Sequence, residues 1–145
     1  MKNTYGSCVI TPNDIVKVYD GDTITVNIRT LPDIVGHEIG IRIIGIDTPE
    51  IRGSSPKEKA LAYEARDYLK KLLCGNDSAN ILLSNLQRDK YFRLLADVSI
   101  LVPGQFPKHV SSLMREQGYA VLYNGGTKPD WDKIIFDREQ KNLNL

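Results

Sequence analysis

The chain has 145 residues, 41% of them hydrophobic and 26% charged. That suits one domain with a sizeable core, without disulfide staples, and no apolar run reaches the ~18 residues that argue for a membrane-spanning helix. Nineteen Lys and Arg against eighteen Asp and Glu give a net charge of +1, which excludes a polybasic tail but leaves room for a local basic groove.

The opening MKNTYGSCVI has one Lys and no apolar core, so it predicts no signal peptide and leaves location open. Residues 15–19 (IVKVY) are rich in strand formers, and Asp20-Gly21 after them is a strong hairpin signal. Residues 23–28 alternate, with Ile24, Val26 and Ile28 in one phase. Leu31-Pro32-Asp33 and Gly36 break the run and predict a longer connection. A third strand is predicted over 38–46. Its apolar phase flips between Ile43 and Ile44, and Gly40 and Gly45 lie nearby, which suggests a bulge or a barrel bend. Pro49 ends that strand.

Residues 58–74 read as an amphipathic helix on Leu61, Ala65, Tyr68, Leu69, Leu72 and Leu73, with Gly75 as its C′ residue. Further strands are predicted over 80–84 and 94–101. A second helix is predicted over 108–117, stopped by Gly118, and a third from Pro129-Asp130 with Trp131, Ile134 and Ile135 on its buried side. The chain shows no repeat, linker or low-complexity tract. The order β-β-β-α-β-β-α-α predicts an α+β, β-rich single domain over 1–145: a five-stranded OB-type barrel with three helices.

Cys8 and Cys74 are too few for a four-ligand zinc site, and their pairing is left open. His37 and His109 stand far apart and read as exposed or loosely packed. A metal site therefore has to use oxygen ligands. Four short pieces carry candidate chemistry, and each has an ordinary reading of its own. Asp20-Gly21-Asp22-Thr23 reads as a turn, Asp47-Thr48-Pro49-Glu50 as a helix start, Arg42 as a solvated strand residue, and Asp89-Lys90-Tyr91-Phe92-Arg93 as a charged turn. Strand ends are neighbours on a barrel rim, however, and together the pieces supply what phosphodiester hydrolysis needs. Asp22, Asp47 and the Thr48 carbonyl suit a hard divalent cation. Arg42 and Arg93 suit bidentate contact with phosphate oxygens, which lysine would make less well. Glu50 suits proton transfer from, or orientation of, an attacking water.

On these motifs the chain resembles the staphylococcal nuclease-like (thermonuclease) family. The resemblance is carried by residues 18–23, residues 41–50, Tyr63-Glu64-Ala65, residues 89–96 and residues 116–120, in that order at workable spacings. It implies a Ca²⁺-dependent nuclease that cleaves the 5′ P–O bond of DNA and RNA and leaves 3′-phosphate ends. Asp22, Asp47 and Thr48 are the implied metal ligands, and Arg42, Glu50 and Arg93 the implied catalytic residues. Lys90, Tyr91 and Tyr123 match substrate-contacting positions, although Tyr91 reads equally well as a barrel-packing residue. Phe92 stands where the family usually has Gly, a costly exchange if that backbone needs a positive φ. The segment from Leu31 to His37 is longer than its family counterpart. A monomer with nucleic acid as its partner and no obligate protein partner is expected. The rival readings are an OB-type module that binds nucleic acid or protein without cutting it, and a purely structural barrel. The intact set of six site residues favours the enzyme.

Overall fold

The computed structural model describes residues 5–91 and 93–143. Alternation of buried and partly exposed residues builds the sheet from the N-terminus onward. β1 (Cys8–Ile10) leads through a 3₁₀ turn at Pro12–Asp14 into β2 (Ile15–Val18), and β3 (Thr23–Val26) pairs antiparallel with β2. A single helical turn, α1 (Asp33–Gly36), fills the long connection to β4 (Ile39–Ile43). The chain then turns into β5 (Ile46–Asp47) and passes to α2 (Pro56–Cys74). β6 (Asn80–Arg88) and β7 (Leu94–Leu101) form the longest hairpin. β8 (Lys108–His109), α3 (Val110–Glu116), β9 (Val121–Leu122) and α4 (Trp131–Leu143) complete the fold.

The main sheet runs β1-β6-β7-β4-β3-β2, with β8 on β7, and β5 and β9 make a separate two-stranded ladder. The sheet curls into a half-barrel over one core. Ile24, Val26, Ile41, Ile43, Ile81, Leu83 and Ala96 are buried from the sheet, and Ala65, Leu69 and Leu73 from α2. Each buried Ile or Leu contributes about 1.5–3 kcal/mol. The one parallel ladder among the described residues, β4 with β7, pairs Arg42 with Leu95 and Ile43 with Ala96. It sets the middle of β4 beside the start of β7, so residues far apart in sequence share one rim.

The OB-like α+β architecture agrees with the expectation, but details differ. There are nine strands and four helices among the described residues, against five and three expected. The additions are elements of two to four residues, too short to show a period. The predicted strand over 38–46 breaks at residues 44–45 into β4 and β5, and Gly45 takes φ +84° there. A non-glycine residue would be strained at that corner. The strand predicted over 80–84 continues to Arg88 past a register shift between Ser84 and Gln87, with Asn85 at φ +53°. The second helix starts at Val110 because Lys108 and His109 pair with Ile100 and Ser99. The first starts at Pro56 because the Ser55 hydroxyl accepts from the Glu58 N–H. Gly75 closes that helix in right-handed geometry (φ −80°), not the left-handed C′ form expected. Cys8 and Cys74 are free thiols, both raised above their ordinary pKa by burial. His37 and His109 are exposed, and no helix among the described residues is long and apolar enough to cross a membrane.

Candidate active site

The hairpin between β2 and β3 ends in a loop over residues 19–22, closed by the Tyr19 N–H donating to the Thr23 carbonyl (3.0 Å). Gly21 does not take a positive φ there. Its reason is space: a Cβ on it would meet Thr48 Cγ2 at 2.9 Å and Ala65 Cβ at 3.1 Å. That close approach presses the loop against Thr48 and α2. It also seats Asp22 beside the β5 end, where the Thr48 N–H donates to Asp22 Oδ2 (3.3 Å).

The two acids expected to bind metal, Asp22 and Asp47, are both buried. Arg42 leaves the face that Ile41 and Ile43 bury and reaches both: Nη1 is 2.8 Å from Asp22 Oδ2 and Nη2 is 3.6 Å from Asp47 Oδ1. Nη2 also donates to the Ile46 carbonyl (3.2 Å). Arg42 is thus a clamped, nearly buried guanidinium and not a solvated strand residue. Asp22 Oδ1 accepts from the Thr23 hydroxyl (2.9 Å), and Asp47 Oδ2 accepts from the indole N–H of Trp131 (2.9 Å). Asp47 Oδ1 is buried with no hydrogen-bond partner, and so is the Thr48 hydroxyl. Two cations lie 3.5–3.6 Å from that Oδ1, Lys128 Nζ and Arg42 Nη2, but neither donates to it.

These groups open into a cleft of about 270 Å³ whose charged lining is Asp20, Asp22, Asp47 and Glu50 against Arg42, Arg52, Arg93 and Lys128. All six residues singled out for metal binding and catalysis line it. Glu50 is half exposed; Lys128 Nζ donates to its Oε1 (2.9 Å), and its own N–H donates to Glu58 Oε2 (2.8 Å). Arg93 enters from the turn before β7. Asp89 organises that turn by accepting from the N–H groups of Tyr91 and Arg93 (2.8 and 2.9 Å), and its Oδ2 accepts from Arg93 Nε (2.9 Å). Burial tends to raise the Asp89 carboxyl, but these hydrogen bonds and the Arg93 charge hold it below its ordinary value. Asp20 behaves oppositely. Burial first, then the Asp22 charge, push it up to about 7, against the pull of the Asp22 N–H and Arg42. Partial burial tends to lower Lys128, but the hydrogen bond to Glu50 and the charges of Asp47 and Glu50 keep it above the usual lysine value.

The other candidates fall elsewhere. Tyr91 is 71% exposed, so it does not pack into the barrel; Lys90 Nζ lies 5.2 Å from its ring centroid, and neither residue lines the cleft. Tyr123 lines an adjoining cavity that shares Arg42, where its hydroxyl donates to the Gly126 carbonyl (2.9 Å). Phe92 lies outside the described residues. Sequence reading did not assign Lys128, Arg52, Asp20 or the Trp131 N–H to the site. The one available signal was the Lys128-Pro129-Asp130-Trp131 run at the predicted start of the last helix.

Among the described residues no three His, Cys, Asp or Glu side chains form a closed metal cage. An all-oxygen donor set remains: Asp22 Oδ1, the unpartnered Asp47 Oδ1 and the adjoining Thr48. It fits a hard cation that completes its shell with water.

The family model for staphylococcal nuclease homologues matches residues 40–142, and the chain belongs to that family. The match includes Arg42, Asp47, Thr48, Glu50 and Arg93 and begins after Asp22. A thermonuclease of Staphylococcus hyicus is 33% identical over 84 residues, 58% of this chain and 46% of the relative. A protein described as a probable endonuclease of Schizosaccharomyces pombe is 32% identical over 95 residues, 64% of this chain and 40% of the relative. An uncharacterized protein of Bacillus anthracis is 31% identical over 108 residues, 74% of this chain and 45% of the relative. The chain thus spans less than half the length of these three relatives. The family and the two nuclease names support a nuclease-type function.

Proposed function

We propose that this domain is a Ca²⁺-dependent nuclease that hydrolyses DNA and RNA to products with 3′-phosphate ends. The observation that carries the reading is the buried Asp47 Oδ1, which accepts no hydrogen bond, beside Asp22 in a cleft lined by Arg42, Arg52 and Arg93. A buried carboxylate oxygen without a partner is costly in a merely structural site.

Asp22, Asp47 and the Thr48 carbonyl would hold the cation, which when bound supplies positive charge against a phosphate oxygen. Arg42 and Arg93 present planar forks to the remaining phosphate oxygens and stabilise the charge that builds as water adds to phosphorus. Arg93 is already held at Nε by Asp89, which leaves its terminal nitrogens for the substrate. Glu50 orients the attacking water and accepts its proton. The bond from phosphorus to the 5′ oxygen breaks, and that oxygen leaves as a hydroxyl after taking up a proton. Lys128 adds a cationic wall close to Glu50 and contributes to attraction of the polyanion.

The test is digestion of plasmid DNA and RNA with Ca²⁺, Mg²⁺ and chelator side by side. Cleavage with Ca²⁺ that stops with chelator is expected. Full cleavage in excess chelator overturns the metal role, and binding of DNA without cleavage under every condition gives the binding-module reading instead. Glu50→Gln and Arg93→Ala each slow turnover by about 10²-fold or more with smaller changes in KM; unchanged turnover removes that residue's role.

A further inference from the structure

The acids of the cleft are oriented by groups that differ in origin. Asp22 is held by near neighbours on the rim, Arg42 and the Thr48 N–H. Asp47 is held from across the molecule: its Oδ2 accepts from Trp131, the first residue of α4, 84 positions away. Both partners are buried, and the indole is the only hydrogen-bond donor to that carboxylate among the described residues. The other oxygen, Oδ1, accepts no hydrogen bond at the cleft, with Lys128 and Arg42 3.5–3.6 Å away. A carboxylate fixed at one oxygen presents the other in a defined direction, which is how an outer hydrogen bond tunes a metal ligand.

Trp131 is itself firmly placed. The Asp130 carboxylate accepts from the Lys133 N–H (3.2 Å), and the Asp130 carbonyl from the Ile134 N–H (3.0 Å), which starts the helix at that point. The Ser55 hydroxyl donates to Asp132, and Lys57 pairs with Glu139 (2.9 Å), tying α4 to the start of α2. Arg138 lies over the indole at 5.7 Å and donates to the Gly118 carbonyl (2.8 Å). The indole is buried beneath Arg138, so turning its N–H away from Asp47 would mean repacking the ring.

We propose that Trp131 is a positioning residue for the cation site: its indole N–H locks Asp47 Oδ2 so that Oδ1 is directed to the metal. The inference rests on the metal reading above. It separates two roles for one side chain, packing through the ring and ligand orientation through a single hydrogen.

The chain contains one tryptophan, which makes the test clean. Replacing it with β-(3-benzothienyl)alanine puts sulfur in place of the N–H and keeps the ring's shape; Trp131→Phe is the genetic counterpart. Ca²⁺ affinity is read by calorimetry, and folding by circular dichroism and thermal melting. Without the N–H, affinity falls about 10- to 100-fold while the metal-free melting temperature of the benzothienyl protein stays within a few degrees of native. In the native protein, the lone indole N–H resonance shifts on Ca²⁺ titration, a readout that needs no variant. Native Ca²⁺ binding matched within twofold by the benzothienyl protein, or an indole resonance that ignores Ca²⁺, overturns the positioning role alone. A native protein that takes up no Ca²⁺ overturns the metal reading and this inference with it.

Discussion

Two buried aspartates, Asp14 and Asp47, sit in the same half-barrel and are used in opposite ways. Asp14 spends every oxygen locally. Oδ2 accepts from the N–H of Thr11 (2.9 Å) and from its hydroxyl (3.2 Å), and Oδ1 is paired with Arg29. Asp47 has one oxygen fixed by Trp131, and the other accepts no hydrogen bond at the cleft. A satisfied carboxylate holds a turn together, whereas an incompletely satisfied one keeps capacity for something not yet bound. Both side chains are buried, so hydrogen-bond accounting and not exposure tells these two acids apart.

The comparison breaks or sharpens by mutation. Asp47→Asn has the largest expected effect: cleavage falls by about 10²-fold or more, while the metal-free protein keeps its fold, as followed by plasmid digestion and thermal melting. Asp14→Asn does the reverse. It costs about 1–2 kcal/mol of stability in urea titration and leaves turnover unchanged. If both mutants lose activity in proportion to stability, the distinction fails.

A pH series sharpens it further. Burial tends to raise the Asp14 carboxyl, but the Thr11 N–H, Arg29 and the Thr11 hydroxyl outweigh that and leave it below its ordinary value. A carboxyl lowered on folding contributes stability that is fully present above its unfolded pKa of about 3.9 and is lost as pH falls through the lower folded value. Asp89 has the same sign. Denaturation midpoints between pH 6 and 2 therefore decline more steeply for the native protein than for Asp14→Asn. The smallest expected effect is that of Lys128→Met. Lys128 is half exposed, so its pairing with Glu50 is screened. KM for DNA rises several-fold with a shallower salt dependence, while kcat changes less.

What could be read from the chain follows from where the information lies. The alternation in 23–28, the helix over 58–74 and the Asp22 and Asp47 motifs are local patterns, and they located the strands, the long helix and the rim acids. The phase flip at Ile43–Ile44 announced the β4–β5 corner, although its sharpness depends on Gly45 at φ +84°. β8 and β9 have two residues each and carry no period. Asp20-Gly21 read as a turn for conformational reasons, yet Gly21 is required by the approach of Thr48 and Ala65, which only the folded chain reveals. Trp131 was legible as a buried helix residue. Its hydrogen bond to Asp47 was not, because no local pattern encodes a contact across 84 positions.

That contact bears on the order in which the cleft is assembled. Pairing of β2, β3 and β4 involves neighbours in sequence, whereas docking of α4 closes a far longer loop and depends on everything between. A nascent polypeptide whose residue 131 is still inside the ribosome can already hold its hairpins, but its Asp47 still lacks the Trp131 donor. The Asp47 carboxylate gains its single hydrogen-bond donor among the described residues only once α4 has docked, so the geometry of the cleft is completed by the last helix of the fold.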